Sequence, residues 1–312
     1  MGRTVVVVAL VVASTAIATG TAQALPGAPT VEESSFVVES GKRASGIATC
    51  PAGKRVVGGG VGAVAEERHL TVAQSGPVDE TGQFANTVNG DVARSWFAMV
   101  RNHNVNPDPQ TIRVFALCSM ISDAVVEVTH LTGGQDNQIG TAMCPAGRRA
   151  VGGGAGELTH QEAWSIRLSG PVDETGLAAN TVDNDVARGW HADVQVSNGF
   201  GENMRYAAYA LCSTSSTATV QETTVQQPEQ TVSEIQVSCP LARRVTGGGL
   251  GLASGQLDYG ALAHHLSQTG PLGASGTFGG TNDGNEARQW GTTFFHLTTG
   301  AYRVFVICTV NV

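Results

Sequence analysis

The chain has 312 residues, a net charge of −8, 41% apolar side chains and only 18 lysines and arginines. So low a basic content excludes a nucleic acid or an anionic membrane surface as partner, because either needs a cationic face. Only Lys42 and Lys54 among the basic residues are lysine, a bias that a GC-rich genome produces without selection for anion binding.

The first element in chain order is a basic Arg3, an apolar run from Val5 to Ile17 and a small-residue stretch ending Ala22-Gln23-Ala24. This is the pattern of a secretory signal peptide, residues 1–24, cleaved after Ala24. The run is short of the roughly 20 apolar residues a bilayer crossing needs, so no transmembrane segment is expected after cleavage. The predicted product is extracellular, beginning near Leu25 with residues 25–33 as a linker. Six cysteines at repeating positions suit an oxidising compartment.

After the linker the chain writes one phrase three times: CPAGKRVVGGG from Cys50, CPAGRRAVGGG from Cys144 and CPLARRVTGGG from Cys239. Each copy is followed by Ser75-Gly76-Pro77, Ser169-Gly170-Pro171 or Thr269-Gly270-Pro271, then Trp96, Trp190 or Trp290, then Cys118, Cys212 or Cys308. Periods of 94 and 95 residues are long enough for each copy to bury a core, unlike solenoid repeats. The copies are placed at 34–119, 123–214 and 217–312.

Within the first copy, β-branched runs between Gly, Pro, Asn and Asp predict strands at Phe36–Glu39, Gly46–Cys50, Arg55–Gly60, Leu70–Ser75, Arg94–Arg101 and Thr111–Ser119. The last is apolar on both faces and therefore central. The fold class is all-β: three tandem homologous small β-sandwich or barrel-like domains with one disulfide each. The alternative is a closed pseudo-threefold, β-prism-like assembly. In-repeat bonds Cys50–Cys118, Cys144–Cys212 and Cys239–Cys308 need no closure between the chain ends. The rival set, Cys118–Cys144 and Cys212–Cys239 with Cys50–Cys308, would close a ring.

Glycine inside a strand marks a bulge or a close backbone approach. The triple glycines lack the Lys-Ser or Lys-Thr pair and helix start of a phosphate loop. Trp96, Trp190 and Trp290, in line with Ala98, Val100, Ala192 and Val194, read as repeat core rather than a sugar platform. Arg55, Arg149 and Arg244 read as covering or pairing residues of the sheet.

The histidines do not recur in register, there is no nucleophile elbow and no zinc motif, and no cysteine is left over once paired. The reading is therefore a non-enzyme without a firmly predicted metal. If the last four strands form a meander, the connections after the triple glycine and after the Trp strand share one variable end. That end includes Glu66-Glu67-Arg68, Trp164, Asp258-Tyr259 and Asn104–Pro109. The other end carries PVDETGxxANTVxxDVAR in copies one and two, a connection long enough to suggest a role. Asp79, Glu80, Asn86 and Asp91, with Asp173, Glu174, Asn180 and Asp185, supply hard oxygen ligands of the kind calcium takes, and turn formation explains the same residues.

The pattern C-P-x-G-[KR]-R-x-x-G-G-G, followed by S-G-P, a Trp strand and A-[LI]-C, resembles a repeat of secreted proteins of high-GC Gram-positive bacteria. The likeness covers essentially the whole mature chain and implies export and repetition, with no activity attached. C-P-x-G near glycines in three repeats is also similar to the vitelline membrane outer layer β-prism proteins, whose repeat is shorter. The expected function is a non-catalytic extracellular binding or structural protein that presents loops to a cell-envelope polysaccharide or another protein. The alternatives are a protease inhibitor using the Asn104–Pro109 loop, or a secreted hydrolase.

Overall fold

A computed structural model describes residues 27–310 apart from 66–68, 104–107, 134–136, 159–164, 197–204, 229–230, 255–263 and 297–298. The signal segment, Glu66-Glu67-Arg68, Trp164, Asp258-Tyr259 and most of the Asn104–Pro109 loop lie outside the described residues.

The first repeat forms β1 (Thr30–Val38), β2 (Arg43–Thr49), β3 (Arg55–Ala63), β4 (Leu70–Val78), β5 (Ser95–Asn102) and β6 (Gln110–Ser119). The second forms β7 (Val125–His130), β8 (Thr132–Gly133), β9 (Asn137–Met143), β10 (Arg149–Glu157), β11 (Ser165–Val172), β12 (Gly189–Gln195) and β13 (Tyr206–Ser213). The third forms β14 (Thr219–Gln227), β15 (Thr231–Ser238), β16 (Arg244–Leu252), β17 (His264–Leu272), β18 (Gln289–His296) and β19 (Gly300–Thr309). All six strands expected in the first repeat are present. β1 starts earlier than its sequence pattern suggests, because Thr30 pairs opposite Cys118 and accepts a hydrogen bond from Lys54 Nζ at 2.8 Å.

The all-β class and one disulfide per repeat are as expected: Cys50–Cys118, Cys144–Cys212 and Cys239–Cys308. How the repeats meet is the closed pseudo-threefold arrangement. Each repeat splits into two halves of three strands, one half of repeat two carrying the short β8 as a fourth, and each half completes its sheet with a neighbour. The sheets run β1-β6-β3-β17-β18-β15, β2-β5-β4-β10-β13-β7 and β14-β19-β16-β11-β12-β9-β8. The joins are antiparallel: Ser75 opposite Ala155, Ser169 opposite Leu250, and Thr269 opposite Val61. The last join links repeat three back to repeat one, so the ring closes through sheets while the disulfides stay inside the repeats. The last four strands of a repeat do not form one meander, since β3 pairs with β6 and β4 with β5 in different sheets. β6, β13 and β19 are each central, as their two-sided apolar runs require.

The triple glycine is what permits closure, and its three members do different things. Gly58, Gly152 and Gly247 meet around the pseudo-threefold axis: a Cβ on Gly58 would strike the Thr246 carbonyl, and one on Gly152 the Val57 carbonyl. On Gly247 it would reach Val151 O at 2.9 Å. The second glycines, Gly59, Gly153 and Gly248, lie under the indole rings of Trp96, Trp190 and Trp290, where a Cβ would come within 2.5 Å of the ring. The third, Gly60, Gly154 and Gly249, face the carbonyls of Thr269, Ser75 and Ser169 across the joins. Backbone meets backbone at the first and third positions, so no side chain could move to make room.

Candidate functional site

The loops between Pro77 and Arg94, Pro171 and Arg188, and Pro271 and Arg288 emerge at one end of the ring. In the first, Asp79 Oδ1 accepts from the backbone N–H and hydroxyl of Thr81 at 2.9 and 2.6 Å, and Asn86 Nδ2 donates to the same hydroxyl at 3.0 Å. In the second, Asp173, Thr175 and Asn180 repeat this geometry. Asp91 and Asp185 accept from the N–H groups of Val88 and Val182 at 2.8 and 2.9 Å. Glu80 and Glu174 are exposed. These carboxylates are engaged by their own backbone, as Asx turns require. Among the described residues no group of three or more His, Cys, Asp or Glu could hold a metal ion.

Each loop also grips the next repeat. Gly90 N–H donates to Val126 O and Val126 N–H to Asp91 O, at 2.9 and 2.8 Å. Asn184 and Asp185 do the same with Val220, and Gly284 and Asn285 with Val31. The residue that turns the chain there has φ of +88° at Gly90, +68° at Asn184 and +76° at Gly284, values that glycine and asparagine tolerate. Beside it, Asn89, Asp183 and Asp283 accept the N–H groups of Val128, Glu222 and Glu33 at 2.5–2.7 Å. Phe84 covers Gly156 and lies 5.2 Å from the Tyr209 ring, whose hydroxyl donates to Phe84 O. Phe278 covers Gly62 in the same way and stacks on Phe115 at 6.2 Å. This end is a clasp of three like parts.

The tryptophans complete the repeated framework. Trp96, Trp190 and Trp290 are each 1% exposed. Their indole N–H groups donate to Ser75, Ser169 and Thr269 hydroxyls at 3.0, 2.8 and 2.9 Å. That explains the hydroxyl residue before each Gly-Pro, since a buried indole N–H needs a partner. The recurring arginines hold backbone: Arg94 and Arg188 donate to Lys54 O and Arg148 O, and Arg55 and Arg149 to Ala124 O and Ala218 O of the following linker. Arg244 instead pairs with Glu286.

At the opposite end, where the connections after the triple glycine and after the Trp strands emerge, equivalent positions hold different chemistry. Between repeats one and two, Gln74 donates to the buried Glu157 at 3.3 Å. The Tyr206 hydroxyl is buried there with no hydrogen-bond partner among the described residues, and burial with nearby Glu157 pushes its pKa up. Arg167 of repeat two makes a two-pronged pair with Asp193, 3.0 and 2.6 Å, beside repeat three. Burial pushes the Asp193 carboxyl up against the opposing pull of Arg167. The matching positions are Ala73 and Ser267 for the arginine, and Met99 and Thr293 for the aspartate. Between repeats three and one, Ala63 N–H donates to Gln268, and the His103 and His265 rings lie 6.4 Å apart. Burial, then His103, lowers the His265 pKa to about 4.

The non-recurring histidines noted in the sequence therefore include one facing pair formed across a join. Sequence reading passed over Asn89, Asp183 and Asp283, although the threefold register marks them. Comparison with protein-family models and with curated proteins finds no match.

Proposed function

We propose that the chain is an extracellular, non-catalytic binding protein that presents the variable connections at one end of its ring to a cell-envelope polysaccharide or a protein partner. The observation that carries this reading is the contrast between the two ends. The connections that recur between copies are consumed in holding repeat to repeat, whereas those at the far end stand on the same strands yet differ in length and residue type. Loops that vary on a fixed scaffold are where binding residues concentrate. Three disulfides suit export, as does the N-terminal sequence. No described helix is long and apolar enough to cross a membrane.

The test is co-sedimentation of the intact secreted chain with isolated cell walls, beside capture from extracellular proteins. The reading expects association with one of the two, lost when the connections 64–69 and 159–164 are replaced by Gly-Ser turns and kept when Glu80 and Glu174 are neutralised. Association with neither, or loss only on changing the clasp end, overturns it.

A further inference from the structure

At two of the three joins an arginine of one repeat donates to a loop of another, and at the third join a cavity opens. Across the join of repeats three and one, Arg113 of β6 reaches over β1 and donates to Thr281 O at 2.6 Å, with Glu33 at 3.4 Å from its Nε. Across the join of repeats two and three, Arg303 of β19 donates to Thr181 O at 2.5 Å, beside β14, which carries Glu222. The third join has neither member. The strand residue equivalent to Arg113 and Arg303 is Ala207, paired opposite His130 as they are paired opposite Ser35 and Thr224. The residue equivalent to Glu33 and Glu222 is Val128.

This join instead has a cavity of about 360 Å³ whose lining includes Thr87, the counterpart of Thr281 and Thr181, with Val88, Val128, His130, Leu158 and Arg205. Its size is that of a small-molecule site. Its walls are apolar, Val88 being 55% exposed, and its charged lining is Arg205, with His130 alongside. Among the described residues no carboxylate lines it. Asn89 also lines the cavity and accepts from Val128 N–H, and the nearby Asp91 carboxylate is engaged by Val88 N–H.

We infer that this cavity is a binding site for a small carboxylate with an apolar body. The carboxylate meets the Arg205 guanidinium, which suits it in a fork of two N–H groups, with His130 beside it. The body lies on Val88, Val128 and Leu158, beside Thr87, whose counterparts Thr281 and Thr181 take an arginine at the other joins. The sign follows from Arg205 and from Val128 standing where the other joins have Glu33 and Glu222, since the charge among the described lining residues is cationic.

The experiment is an NMR titration of the labelled full chain with benzoate, with benzyl alcohol and benzylamine as neutral and cationic analogues. Benzoate is expected to shift the amides of Val88, Asn89 and Val128 and to bind more tightly than either analogue. Ala207→Arg, which restores the residue of the other two joins, should weaken benzoate by about tenfold or more. Arg205→Gln should erase the preference over benzyl alcohol. Val128→Glu gives a second reading of the charge argument should Ala207→Arg fail to fold. Benzylamine binding as well as benzoate, shifts elsewhere in the chain, or benzoate affinity unchanged in Ala207→Arg and Val128→Glu would overturn the assignment.

Discussion

The two ends of the ring are built on the same strands and use polar residues in opposite ways. At the clasp end, Asp79, Asp173 and their neighbours are engaged by local backbone and hydroxyls, and Asn89, Asp183 and Asp283 reach the next repeat three times over. At the far end, Gln74 with Glu157, Arg167 with Asp193, and His103 beside His265 share no common chemistry. A residue that recurs in all three copies builds the ring. One that occurs in a single copy, such as His265 or Glu157, is not required by the shared framework.

The largest expected break comes at the axis. Gly58→Ala drives a methyl group into the Thr246 carbonyl, where nothing can rotate aside, and should cost about 5 kcal/mol by urea unfolding. Gly152→Ala should cost a similar amount, whereas Gly284→Ala, where a Cβ meets open space, suffers only from its positive φ.

At the unlike end, Asp193→Ala leaves the buried Arg167 uncompensated and should cost about 3–5 kcal/mol. Combining it with Arg167→Ala, the residue of repeat one, should recover most of that loss. A double mutant no better than the single one would mean that the pair supports more than itself.

A smaller effect tests the clasp. Thr181→Val removes a buried hydroxyl that donates to Leu177 O and should cost about 1 kcal/mol, with or without added calcium. Stabilisation by calcium that depended on Asp173 would revive the ion-binding reading of that loop.

Acid sensitivity should also divide by position. His265 takes up a proton less readily in the folded state than at its unfolded value of 6.5, so its contribution is fully present above 6.5 and lost as pH falls towards about 4. Replacing it with Phe should flatten the stability profile in that window. Asp123 acts lower: burial would raise its pKa, but the hydroxyls of Ser213, Thr214 and Ser215 hold it well below the carboxylate range. Its contribution is therefore lost only at pH below about 3.9.

The smallest effect lies in the third copy of the cysteine phrase, where Ala242 adopts φ of +64° and Gly53 and Gly147 stand at the matching sites. Ala242→Gly should stabilise the chain by about 0.5 kcal/mol, measured as a rise in Tm.

The strands, the central position of Thr111–Ser119 and the disulfide framework were legible because apolar runs and cysteine spacing are local signals. The sharing of sheets was not. The partner of Gly60 lies at Thr269, about two hundred residues away, and a glycine announces a close approach without saying to what. The carboxylates of Asp79 and Asp173 read equally as turn formers or metal ligands, since both uses need the same oxygens. Only the positions of Thr81 and Thr175 separate them. The cavity beside Arg205 was legible in principle, as the one copy in which Arg113 and Arg303 become Ala207. Seeing it required knowing that this position faces the preceding repeat.

Hydrogen exchange on the Gly58→Ala variant, with disulfides intact, tests the closed ring most directly. If the three repeats form one body, amides of β6, β13 and β19 should lose protection together and by similar factors. Loss confined to β6, with β13 and β19 unchanged, would contradict it.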